Sequence, residues 1–119
     1  MNPRPYYLLN KAGEPVNEPD VLTWARGLEK LDRTVAKDRI GAATVSTVFL
    51  GLDHNFIGTG PPVLWESMVF GSRLEGTCMR CAGSREQAIA MHGKILAIVK
   101  AGLSGGRHRK QKRQQQKSN

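Results

Sequence analysis

The sequence predicts a small α+β domain, an antiparallel sheet of three to four strands packed with two amphipathic helices in the order β-α-β-β-β-α. Three observations point there. The 119-residue length suits one domain with a modest core and is short for two. Strand-like runs from Thr44 onward are separated by turn residues. Two segments, one before these runs and one after, carry apolar residues at helical three- and four-residue spacing.

Tyr6 to Leu9 is aromatic and apolar, bounded by Pro5 and by Lys11-Ala12-Gly13, and reads as a first strand. Glu14 to Glu18 reads as a loop. Pro19 suits the first position of a helix, where its missing N–H would be unpaired anyway, and Glu18 and Asp20 favour that end of the dipole. Val21, Trp24, Ala25, Leu28, Leu31 and Val35 then mark an apolar stripe, which predicts a helix from about Asp20 to Lys37. Gly27 weakens it by about 1 kcal/mol relative to alanine.

Thr44 to Leu52 is β-branched, apolar and uncharged, a mostly buried strand. Val63 to Phe70 is a second, joined to it by the long loop Asp53 to Pro62, and loops of that length are usually functional or mobile. Leu74 to Ala82 is expected as a third strand of an antiparallel meander. Ser84-Arg-Glu-Gln87 fits a capping box. Ala88, Met91, Ile95, Leu96, Ile98 and Val99 give the following helix its apolar face, and Gly102 with Gly105-Gly106 is expected to end it.

The net charge of +8 is uneven. Residues 1–102, the expected globular domain, carry 12 basic and 10 acidic side chains. Residues 103–119 hold Arg107, Arg109, Lys110, Lys112, Arg113 and Lys117 with no acidic residue, and read as a basic, disordered tail. Such a tail could make weak, non-specific contact with nucleic acid through phosphate charge. No aromatic residue interleaves with its basic ones, so base stacking is not expected. No apolar run approaches the roughly 20 residues that span a bilayer, so no membrane partner is expected. The N-terminus lacks the pattern of a secretory signal, and two cysteines do not make a disulfide framework. A reducing cytoplasm is the expected compartment.

Five residues could form a polar site. Glu66 shares a strand face with Leu64, Met68 and Phe70, so a helix packed on that face would leave it a carboxylate among apolar groups. The alternative is an ion pair, with Arg33 or Arg39 as candidate partners, or a position facing water. Asp53, His54 and Asn55 follow a strand end, where an imidazole beside a carboxylate could do acid–base work. Asp and Asn also bond their own backbone in turns, which is the commoner use. His92 lies toward the apolar side of the last helix. A meeting of Glu66, His54 and His92 would make a hydrolase or a metal-dependent nuclease conceivable.

Gly58-Thr-Gly60 is followed by neither a helix nor a lysine and is no phosphate-binding loop. Cys78-Met-Arg-Cys81 is half of a zinc motif. In a strand its two thiols would face opposite sides, so no metal site and no cofactor are expected.

VSTVFLGLDHNF followed by PPVLWESMVFG resembles a family of small uncharacterised proteins of tailed phages and prophages. Trp24-Ala25-Arg26, Asp32-Arg33 with Val35-Ala36, and Ala90-Met91-His92-Gly93 extend the similarity over most of residues 6–100. The resemblance implies a phage-encoded accessory protein in the host cytoplasm and carries over no catalytic residue. The expected activity is non-catalytic binding of a host or phage protein, or of a small nucleotide held by the Asp53–Pro62 loop. Nucleic-acid association through the tail, and hydrolysis using Glu66, His54 and His92, are the alternatives.

Overall fold

The computed structural model describes residues 4–57 and 59–117, with side chains as far as Gly102. Its fold is α+β, as the sequence predicts, with two more strands than expected. The elements run β1 (Tyr7–Leu9), β2 (Pro15–Asn17), α1 (Val21–Lys30), β3 (Thr34–Ile40), β4 (Ala43–Phe49), β5 (Val63–Phe70), β6 (Cys78–Ala82) and α2 (Arg85–Lys117). β3-β4-β5-β6 form an antiparallel sheet in sequence order, and β1 and β2 pair as a separate hairpin.

The segment Glu14–Glu18, expected as a loop, contains β2 because Asn10 tightens the preceding turn. Its Oδ1 accepts from the backbone N–H groups of Ala12 and Glu14, both at 2.9 Å. Pro19 precedes α1 instead of opening it. Asp20 is the N-cap, accepting from Leu22 N and from the Thr23 hydroxyl at 2.7 Å, and these bonds hold its carboxyl below the usual range.

The expected helix to Lys37 is too long, since α1 stops at Lys30 and Leu31 is extended. Asp32 accepts from Thr34 N at 3.1 Å and turns the chain, and Thr34–Ile40 pairs with β4 instead. Leu28, Leu31 and Val35 still reach one apolar cluster, from a helix, a turn and a strand respectively. The spacing identified these three core contacts on the wrong backbone, while Val21 and Ala25 of the same stripe are exposed.

α2 lies across one face of the sheet, and among its described residues Ala88, Met91, His92, Ile95 and Val99 are buried. Ser84 and Gln87 form the expected capping box, each accepting from the other's backbone N–H. The helix does not end at Gly102. It continues to Lys117, so the basic residues expected in a disordered tail have a helical backbone. Glycine costs a helix about 1 kcal/mol, which the following Lys, Arg and Gln, good helix formers, offset.

The core falls into two apolar clusters. At one end Ala43, Val45 and Val69 pack on Ile95 and Val99. At the other, Phe49, Leu64 and Trp65 pack on Ala88 and Met91. Between them runs a buried polar row of Thr47, Ser67 and His92. Gly71 lets β5 leave the sheet, with φ +80° and the backbone oxygen of Ala42 only 2.6 Å from where a Cβ would sit.

Candidate functional site

The polar row is a continuous hydrogen-bonded chain. Thr47 on β4 and Ser67 on β5 are direct cross-strand partners, and their hydroxyl oxygens lie 2.5 Å apart. His92 Nδ1 lies 2.6 Å from Thr47 Oγ1, and His92 Nε2 lies 2.8 Å from Asp38 Oδ2. In the neutral imidazole tautomer with its proton on Nε2, Nε2 donates to Asp38, Nδ1 accepts from the Thr47 hydroxyl and Thr47 accepts from Ser67, an arrangement that gives each group a partner.

Carboxylate, imidazole and hydroxyl follow the order of a nucleophile triad. Their placement does not serve one. Thr47 and Ser67 are 0% exposed, sealed between the sheet and α2, and only Asp38, with its side chain 56% exposed, reaches solvent. No substrate carbonyl has access to either hydroxyl. Among the described residues no buried side-chain nitrogen or oxygen lacks a partner, so the chain works as a satisfied core network.

Glu66 is on the other side of the sheet. α2 packs on Trp65, Ser67 and Val69, whereas Glu66 pairs across to Arg80 on β6. At the register shift between Val63 and Trp65 both Leu64 and Trp65 are buried, so Leu64 departs from the less buried set Glu66, Met68 and Phe70 with which alternation groups it. The ion pair exists, at 2.7 Å, but its partner is Arg80 rather than Arg33 or Arg39. Those two bond backbone oxygens, Arg33 those of Phe49 and Leu50 and Arg39 that of Gly41. The carboxylate in turn raises the Arg80 pKa.

Asp53, His54 and Asn55 organise their own loop. Asp53 Oδ1 accepts from Asn55 N at 2.8 Å and Val63 N at 2.9 Å, closing the loop onto the start of β5. Asn55 Nδ2 donates to the backbone oxygens of Thr59 and Pro61, and its Oδ1 accepts from Ile57 N. His54 Nδ1 lies 2.7 Å from the oxygen of Leu52, and its ring packs on Phe56 at 5.6 Å between centroids. The tip presents Phe56 and Ile57, 78% and 86% exposed.

Glu66, His54 and His92 therefore occupy the sheet face opposite α2, a loop and the sealed core, and do not converge. Among the described residues no group of three or more His, Cys, Asp or Glu is placed to hold a metal. Cys78 is paired with Met68 and Cys81 with Trp65, which puts the two thiols on opposite faces. Burial raises both thiol pKa values, and the Glu66 charge raises that of Cys78 further. Among the described residues no helix is long and apolar enough to cross a membrane.

Reasoning from sequence missed Asp38, Thr47 and Ser67. The available signal was a lone hydroxyl at the same level of two neighbouring strands, inside the runs Val45-x-Thr47-x-Phe49 and Trp65-x-Ser67-x-Val69. Two clefts are lined by described residues. One, of about 470 Å³, lies between the Ala12–Pro15 turn and the start of α2. The other, of about 380 Å³, lies between β6 and α2. The Asp53–Pro62 loop lines neither. Comparison with protein-family models, with curated proteins and with solved structures returns no match.

Proposed function

We propose that the chain is a non-catalytic binding protein, a phage-type accessory protein that engages a host or phage protein through the Asp53–Pro62 loop. The observation that carries this reading is the loop's internal bonding. Two side chains, Asp53 and Asn55, hold its backbone so that Phe56 and Ile57 stand out into water. Exposed apolar side chains on a pre-set backbone give up little conformational entropy on binding, which favours affinity. A large aromatic residue at such a tip is a typical energetic anchor.

A protein cleft suits this tip better than a lipid surface does. No Lys or Arg occurs between Gly41 and Ser72, whereas membrane-seeking apolar tips are commonly rimmed by basic residues. The basic residues of α2 follow Val99, which packs with Ala43 and Val69, whereas the loop follows Phe49 in the other cluster. The test is a photo-cross-linker, p-benzoylphenylalanine, placed at Ile57 in cells that support the phage. One dominant protein adduct, diminished by Phe56→Ala, supports the reading. No adduct, or the same adducts from a cross-linker at Thr23 on α1, removes it.

A second reading, nucleic-acid association, is favoured by the continuity of α2 through Arg107, Arg109, Lys110, Lys112, Arg113 and Lys117. Truncation after Gly102 would then abolish a salt-sensitive shift of DNA or RNA in a gel. An unchanged shift refutes it.

A further inference from the structure

The two edges of the main sheet are unequal. β3 carries three consecutive exposed charges, Lys37, Asp38 and Arg39, and a bulge between Thr34 and Ala36. Charges and bulges on an edge strand discourage another strand from pairing with it. β6 is guarded less, with a register shift only near its Ala82 end. Cys78–Ala82 pairs with β5 on one side only, and its single charge, Arg80, is held by Glu66.

Beside this open edge lies the cleft of about 380 Å³, with Met79 and Cys81 from the strand facing Ala90, Met91 and Lys94 of α2. An edge strand next to a helix, with a groove between them, is the arrangement in which extended peptides add to a sheet. The backbone edge of β6 can bond the peptide, and every second peptide side chain enters the groove. Its two methionines adapt to varied apolar shapes.

We propose that the β6/α2 groove binds an extended peptide segment as a fifth strand, with apolar side chains directed at Met79 and Met91 and an acidic one at Lys94. Charge selects this occupant. Lys94 supplies the groove's positive charge, Arg80 being paired with Glu66, and no Asp or Glu lines it. A second copy would set Lys94 against its own kind, and the basic segment beyond Gly102 would be repelled in the same way. The proposal shares with the loop reading only the premise of a binding protein. It concerns a different surface, and each is tested by residues the other does not use.

The probe is a random dodecamer peptide library selected on the full chain, with enriched peptides synthesised and titrated by fluorescence anisotropy. The expected peptides alternate apolar residues with Asp or Glu. Lys94→Glu and Ala90→Arg, both at exposed helix positions, should each weaken them at least tenfold, as should N-methylation of one central peptide amide. Phe56→Ala should leave their affinity unchanged. Bound peptide should slow alkylation of Cys81, which lines the groove, but not of Cys78, which faces away. Three results overturn the proposal: no enriched peptide, binding that survives both Lys94→Glu and N-methylation, or a concentration-dependent dimer that Ala90→Arg dissolves.

Discussion

Two regions of this molecule each combine a histidine with a carboxylate and short polar side chains, and they use them in opposite ways. Under α2, His92 joins Asp38, Thr47 and Ser67 in a chain that only Asp38 connects to water. In the loop, Asp53, His54 and Asn55 bond backbone groups within ten residues of themselves. The first set fixes how helix and sheet meet, because an apolar core alone would tolerate a shifted α2. The second fixes the shape of a surface. The first leaves neither hydroxyl open to solvent, and the contrast shows that residue types with catalytic potential acquire their role from where they are buried.

The comparison can be broken by substitution. His92→Ala should be the most damaging change, since it opens a cavity and leaves Thr47 without its imidazole partner. A loss of roughly 3 kcal/mol in urea unfolding is expected. Thr47→Val keeps the shape and strands two polar groups, Ser67 Oγ and His92 Nδ1, for about 1–3 kcal/mol. If either variant retained full stability, the buried chain would not be holding α2 in place.

On the loop the scale should fall. Asn55→Ala removes three partly exposed hydrogen bonds and should cost about 1 kcal/mol or less. Its larger effect should be on amide exchange, which is expected to speed up at Ile57 with no change at Thr47. Phe56→Ala with Ile57→Ala should alter stability by less than about 0.5 kcal/mol, because both side chains are already in water.

The smallest effect belongs to the thiols. With pKa values raised by burial, Cys78 and Cys81 should alkylate more slowly in the folded chain than in urea near pH 8.5. A raised folded pKa stabilises below the unfolded value and is lost as pH climbs through the folded one, so the gap in rate should close at higher pH. Equal rates at pH 8.5 would contradict the burial account.

How much of this was legible follows the range of the interactions. β5 and the capping box at Ser84 depend on neighbours in sequence, and both stand where the sequence placed them. β3 was hidden because Leu28, Leu31 and Val35 keep helical spacing while the backbone changes from helix to strand between them. Whether Glu66 faced a helix or an ion pair stayed open because neither the face that α2 covers nor the registration with Arg80, set by β6, is local in sequence. Asp38 could not be joined to His92 from sequence, since 54 positions separate them and the contact exists only once α2 crosses the sheet. The DHN triplet, by contrast, folds within its own loop, and its turn-forming reading needed no distant partner.

The central claim is that the loop's polar side chains exist to display Phe56 and Ile57 to a protein. It is tested most directly by titrating the protein captured through position 57 against the wild-type chain and against Phe56→Ala with Ile57→Ala. The account predicts an affinity loss of at least about thirtyfold, as expected for an interface anchor, with the urea midpoint unchanged. Equal affinity for both chains would contradict it.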